Sequence, residues 1–302
     1  MIPNQPKTVL VTGSQEEYHL RVTALQSNHC PGSLMFIMER LDTNGAVHKR
    51  ILYTGDFRFD NPDLPLTCLR SLHSGTTPLH IDEMYLDTTF CSNKYLTFPT
   101  RQEAEEKIWS ICERWIRKNT IFKENFRQHV VLFHLPARYG YEKILQHIYQ
   151  RSAQDWRVHV PRTKFSEYLC NSSLADCTDP DPNIARLVHA CTSNFQKKSG
   201  KYFPNKLPCQ SGVVSVCHIK PSAMFFTQSK MAALEGAGQD SMVEISQGGN
   251  TYRVCYSTHS SMEELEMFVK HFAPAKIILC AIPQGSTKEV KPLLCKRFLP
   301  VK

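Results

Sequence analysis

Leu52-Tyr53-Thr54-Gly55-Asp56-Phe57-Arg58 runs an apolar strand into a glycine turn that ends on a carboxylate, and its reading decides the fold of the first part of the chain. A strand that stops at Gly55 leaves Asp56 at its rim, where catalytic groups are commonly displayed. The same grammar recurs on either side. Asn28-His29-Cys30-Pro31-Gly32-Ser33 precedes the apolar run Leu34 to Met38, and Tyr85-Leu86-Asp87-Thr88-Thr89-Phe90 continues from Met84. Turn signals at Asn44-Gly45 and Asn61-Pro62 separate the runs, so the first quarter reads as a β-rich meander. Taken singly, a His or Asp at a strand end serves equally as a turn residue or a hydrogen-bond partner.

Further along, Thr100 and Glu103 form a capping box ahead of Ala104, Ile108, Ile111, Cys112 and Trp115 at helical spacing. A β-branched run from His129 to Leu135 and a helical pattern from Tyr141 to Tyr149 follow, which predicts strand–helix alternation of α/β type. From Asp176 to Pro208 periodicity is lost around Asp179-Pro180-Asp181-Pro182, and an irregular segment of that length calls for a local staple such as a metal site. Strands return at Val213 to Ile219, Tyr252 to Tyr256 and Lys276 to Ala281. Between the last two, a helix is predicted over Met262 to Phe272, capped by Ser260 or Ser261 with Glu263 or Glu264. His259 sits at its start, where unpaired N–H groups suit a phosphate.

Length and composition set the outer bounds. A chain of 302 residues that is 41% hydrophobic exceeds the usual compact domain, so two modules are expected. Only 21% of residues are charged, which confines expected disorder to the ends and to Gly236–Gly249. The net charge of +8 favours a polyanionic partner, although many ordinary proteins carry as much. Twelve scattered cysteines fit reduced thiols in the cytosol or nucleus. Nothing approaches the roughly 18 apolar residues of a membrane span, and a soluble protein without a membrane partner is expected.

The three quoted segments resemble the metallo-β-lactamase/β-CASP DNA repair nucleases, the group that includes Artemis and Apollo. The His29 and Asp56 segments are similar to the third and fourth lactamase motifs, and the Asp87 segment to the first β-CASP motif. The likeness continues through Tyr139-Gly140-Tyr141-Glu142, Leu207-Pro208-Cys209, Ile219-Lys220-Pro221-Ser222 and His259-Ser260-Ser261. It implies an α/β fold, a partial metallo-β-lactamase αββα sandwich with an inserted α/β β-CASP domain. Residues 1–86 would be the C-terminal part of the first lactamase segment, 87–255 the β-CASP domain and 256–302 the returning lactamase segment.

By that resemblance His29 and Asp56 are ligands of a catalytic ion, and Asp56, Asp87 and His259 are the catalytic residues. Asp87 would fix the tautomer of His259, which would meet the scissile phosphate or protonate the leaving oxygen. Lys220 and Ser257 resemble substrate-phosphate positions, and Arg58, Arg138, Lys197, Lys198 and Lys201 are candidates for a DNA-binding face. Gln284 stands where RNA-directed relatives carry a further histidine, which sides with the DNA branch and one tightly held catalytic metal. The Artemis branch also pairs a His-x-Cys segment with an earlier His and a later Cys. Here those are His159, His189, Cys191 and Cys209, a Cys₂His₂ set that implies a structural zinc.

The activity implied is metal-dependent phosphodiester hydrolysis at DNA ends, hairpins and overhangs, in end-joining repair and recombination in the nucleus. Zinc is the implied metal at both sites, with magnesium or manganese as alternative activity metals. DNA and a DNA-dependent protein kinase are the implied partners. No His-x-His-x-Asp-His segment, the family's main ligand cluster, occurs in these residues, so the chain is expected to be an N-terminally incomplete piece and inactive alone. Two rivals stay open: an Apollo-like 5′ exonuclease of cross-link repair and telomere maintenance, and a non-catalytic DNA- or partner-binding remnant.

Overall fold

The computed structural model describes residues 3–12, 17–60, 73–74, 77–120, 129–191, 207, 209, 215–246 and 248–281. The chain divides into two units: Met1–Phe98 with Thr258–Lys302, and Pro99–Ser257. The readings at Asn61-Pro62, Lys197, Lys198, Lys201, Pro208 and Gln284 fall outside the described residues.

The first unit opens as an antiparallel meander of β1 (Lys7–Thr12), β2 (Glu17–Gln26), β3 (Leu34–Leu41) and β4 (Val47–Tyr53). In β3, Met35, Ile37 and Glu39 are buried in alternation, the period-two signature of a sheet with one covered face. Glu39 tolerates burial because Arg21 Nε and Arg50 Nε donate to its two oxygens from the strands on either side, at 2.7 and 2.9 Å. β1 and β2 extend the predicted meander by two strands. β1 is exposed over most of its length, so it carries little inward-facing apolar pattern. A two-stranded ribbon, β5 (His73–Ser74) with β6 (Thr77–Pro78), precedes β7 (Glu83–Asp87), which pairs parallel to β4.

The second unit begins with α1 (Arg101–Thr120), started by the predicted box. Thr100 N donates to Glu103 Oε2 at 2.8 Å and Glu103 N to Thr100 Oγ1 at 3.2 Å. In β8 (His129–Phe133), Val130 to Phe133 are all buried, as in a parallel strand covered on both faces. Then come α2 (Glu142–Arg151), β9 (Val158–His159), α3 (Arg162–Tyr168), α4 (Ser172–Cys177), β10 (Thr178–Asp179) and β11 (Val188–His189). The unit is completed by β12 (Ser215–Pro221), α5 (Gln228–Gly236), β13 (Val243–Ile245) and β14 (Thr251–Val254).

The sheet order is β10-β9-β11-β8-β12-β14-β13, parallel except for β13. Two sequence expectations are corrected here. The segment predicted as irregular supplies β10 and β11, whose pairings of two residues are too short to register as periodicity. The Gly236–Gly249 stretch, expected to be disordered, contains β13, held by antiparallel pairing to β14.

The chain then returns to the first unit through α6 (Met262–Phe272) and β15 (Lys276–Cys280). Ser261 is the N-cap of α6, and Glu264 reaches back to the Ser261 N–H at 2.7 Å, which decides between the predicted caps. Met262, Leu265, Phe268, Val269 and Phe272 pack on Leu52, Phe57, Met84 and Leu86, each large side chain contributing about 1.5–3 kcal/mol by leaving water. β15 lies parallel to β7 and completes the order β1-β2-β3-β4-β7-β15. Two main sheets and six helices among the described residues make a mixed α/β fold, consistent with a metallo-β-lactamase-like architecture.

Candidate metal centres

Among the described residues, two groups of side chains could hold a metal ion, one within each unit. The first comprises His29, Asp56 and His259, whose ligand atoms lie within 4.8 Å of one another. His29 is in the turn after β2, Asp56 in the turn after β4 and His259 just ahead of the α6 cap. Gly55 has φ of +54°, and a Cβ there would stand 3.3 Å from the Leu34 carbonyl, so only glycine makes this turn without strain.

Both imidazoles are oriented by their Nδ1 atoms. His29 Nδ1 donates to the Thr258 carbonyl at 3.0 Å, and His259 Nδ1 donates to Asp87 Oδ2 at 2.8 Å. The acceptors assign the proton to Nδ1, so Nε2 of each ring is the atom available to a metal. Burial and the neighbouring His259 ring, 4.6 Å away between centroids, hold His29 below the usual imidazole range. A neutral ring is the form that binds metal.

Asp87 is 2% exposed. Burial pushes its carboxyl up, but the His259 hydrogen bond, with those from the Thr89 hydroxyl at 2.6 Å and Thr89 N at 3.0 Å, brings it below the ordinary carboxylate range. It is a fixed anion that orients His259. Thr89 was not singled out in the sequence, although a Thr two residues after an Asp at a strand end is a common local partner.

Arg58 corrects an expectation. As a candidate for a DNA-binding face it should be exposed, yet it is 1% exposed, with Nη2 2.9 Å from Glu264 Oε1 and Nη1 3.3 Å from the His259 carbonyl. It ties the backbone of His259 to α6 instead. Arg138 is on the surface and paired with Glu167.

The second group, His159, His189, Cys191 and Cys209, also has its ligand atoms within 4.8 Å. β9 and β11 are parallel neighbours with His159 opposite His189, which places both imidazoles side by side, their centroids 5.2 Å apart. Cys191 lies two residues on, and Cys209 Sγ is 3.6 Å from Cys191 Sγ and 3.4 Å from His189 Nδ1. The hydrogen bond from Cys191 holds Cys209 below the usual thiol range, and the same contact drives Cys191 above it. His189 Nε2 donates to the Arg186 carbonyl at 3.1 Å, turning Nδ1 toward the sulfurs. His159 Nδ1 is buried and has no hydrogen-bond partner among the described residues, a costly state for a polar atom unless something else engages it.

Lys220 and Ser257 both lie in the second unit. Lys220 stands opposite Arg253 in the β12–β14 register, and burial with that neighbour lowers its pKa. Ser257 is buried. A further pair, His134 Nε2 just past β8 and His218 Nδ1 in β12, 2.9 Å apart, has no signal in the sequence, because its partners are brought together only by strand pairing.

The DNA repair metallo-beta-lactamase family model matches residues 181–284. Protein artemis of Rattus norvegicus is 32% identical over 291 residues, covering 93% of this chain and 37% of the relative. Protein artemis of Danio rerio is 31% identical over 301 residues, covering 95% and 41%. The 5′ exonuclease Apollo of Rattus norvegicus is 28% identical over 260 residues, covering 86% and 38%. The chain thus spans about two fifths of the length of these relatives. Among the described residues, the two groups are where a metal ion could be held.

Proposed function

Because the chain is Artemis-like and carries a DNA repair metallo-beta-lactamase domain, we propose that it forms the His29/Asp56/His259 part of a metal-dependent DNA nuclease of Artemis type. The carrying observation is the convergence of two Nδ1-anchored imidazoles and one carboxylate within 4.8 Å. A divalent metal held there would supply Lewis acidity and a water of lowered pKa. The chain's own residues do the rest. His29 and His259 present Nε2, Asp56 presents a carboxylate, and Asp87 keeps the His259 proton on Nδ1. Thr258 and Arg58 hold the two histidine segments through backbone carbonyls.

The second group is read as a structural zinc site. A tetrahedron with bonds of ~2.0–2.3 Å has edges of roughly 3.3–3.8 Å, which suits the 3.6 and 3.4 Å separations and the N₂S₂ donor set. The buried His159 Nδ1, without a hydrogen-bond partner among the described residues, fits a ligand position. Such a centre would staple the short strands β9 and β11. It favours Artemis over Apollo by the resemblance that introduced it.

Residues 87–255 are taken as the β-CASP insertion, Lys220 and Ser257 as substrate-phosphate contacts, and processing of DNA ends and hairpins in non-homologous end joining in the nucleus as the biological role. A DNA-dependent protein kinase is the partner proposed. Since the His-x-His-x-Asp-His cluster is not among these residues, the chain alone is expected to hold one metal ion tightly, at the four-donor site, and not to cleave DNA.

The test is binding of a 5′-phosphorylated hairpin with and without manganese, zinc content being measured in parallel. The reading expects metal-stimulated binding that Asp56→Ala removes. Binding indifferent to metal and to Asp56→Ala supports the non-catalytic remnant instead. Cleavage abolished by Asp56→Ala would keep the nuclease and overturn the expected inactivity.

A further inference from the structure

We propose that Cys191 and Cys209 form a reversible oxidation site, in which a peroxide converts the two thiols to a disulfide and dismantles the four-donor group. The loss of metal rests on the structural-zinc reading above, whereas the disulfide requires only the thiols.

The sulfurs stand 3.6 Å apart, so closing to a bond of ~2.05 Å asks for a shift of only about 1.5 Å. Both side chains are half-buried, open enough for a small oxidant, while Cys112, Cys177 and Cys217 are fully buried. Cys191 follows β11 by two residues, and neither cysteine is itself part of a described helix or strand. Either sulfur of the contact can attack first, and the balance is the same with Cys209 in that role. Cys209 attacks one peroxide oxygen, the O–O bond breaks, and the leaving hydroxide takes the thiol proton to give water and a sulfenic acid. Cys191 then attacks that sulfur, the S–O bond breaks, and a second water leaves with the Cys191 proton. Two thiols are oxidised, one peroxide is reduced, and a dithiol reverses the change.

His159 and His189 would be left as the remaining donors, too few to hold a tetrahedral zinc firmly. Residues 191 and 209 stay linked in both states, through the metal in one and covalently in the other. The link survives while the metal is exchanged away.

The experiment uses the whole chain, zinc-loaded and chelator-stripped, titrated with hydrogen peroxide. Alkylation and peptide mapping read the thiols, and a chromogenic chelator reads released zinc. The expected result is joint loss of alkylation at Cys191 and Cys209, about tenfold or more faster than at Cys112 or Cys217. The joined peptide should be lighter by two hydrogens, with one zinc released per disulfide and reversal by dithiothreitol. Separate oxidation of the two cysteines, or pairing of either with another thiol, would overturn the proposal. A chain that binds no zinc yet forms the 191–209 disulfide upholds the thiol pair and removes only the metal reading. Because mapping is done on the unmodified sequence, no variant has to fold.

Discussion

Arg58→Met is the most informative single perturbation of the first unit. The Arg58 side chain is fully covered and that of Glu264 is 11% exposed, so removing the guanidinium leaves a buried carboxylate without its cation. Breaking such a pair from one side costs about 3–5 kcal/mol, or roughly 6–20 °C in the melting of a unit of this size. Burial already raises the Glu264 pKa against the pull of Arg58, and the variant loses that pull. A raised carboxyl contributes stability that is fully present below its unfolded pKa of ~4.3 and is lost as pH rises through the folded value. The deficit of Arg58→Met is therefore expected to be large at pH 7.5 and to shrink toward pH 5. Glu264→Gln keeps the capping geometry while removing the charge, so adding it to Arg58→Met should restore part of the loss. Guanidinium unfolding of the two single variants, the double and the parent at both pH values completes the cycle. A deficit below 1 kcal/mol, or one that is the same at both pH values, would refute the reasoning.

Three other expectations concern the sites. Asp87→Asn should leave the fold intact but weaken metal-stimulated DNA binding by about 10–100-fold, since the group orienting His259 loses its charge; a metal titration by fluorescence anisotropy reads this, and an unchanged midpoint argues against the anchoring role. Gly55→Ala should cost about 1–2 kcal/mol through its left-handed backbone and the 3.3 Å approach to Leu34, checked by thermal unfolding. His134, lowered to about 3 by burial and then by His218 and Lys220, stays neutral when folded but gains a proton when unfolded below pH ~6.5. Stability should thus fall as pH drops from about 6.5 toward 3, and His134→Gln should flatten that slope in urea melts between pH 4.5 and 7.

What could be read from the sequence was whatever depends on near neighbours. α6 announces itself through Ser261, Glu264 and an apolar face at helical spacing, and β3 and β8 through their apolar runs. β9, β10 and β11 do not, because two-residue strands exist only by virtue of partners 20 or more residues away in the chain. The sites divide in the same way. His29, Asp56 and Asp87 were visible at the ends of apolar runs. The grouping of His259 with His29 and Asp56, more than 200 residues apart, changes the count from two candidate ligands to three, which spacing alone could not supply. Arg58 looked like a surface cation because nothing near it in sequence shows that Glu264 lies against it.

The position of β11 bears on the order of assembly. It sits between β9 and β8, both of which precede it in the chain, so during synthesis those two strands emerge with an empty lane between them. Until residue 189 arrives, direct pairing of β9 with β8 is the competing arrangement, and it would shut out the segment that brings His189 and Cys191. A metal ion that needs His159 from β9 together with His189 and Cys191 from the inserted segment would favour the chain with β11 inserted over the one that closed too soon.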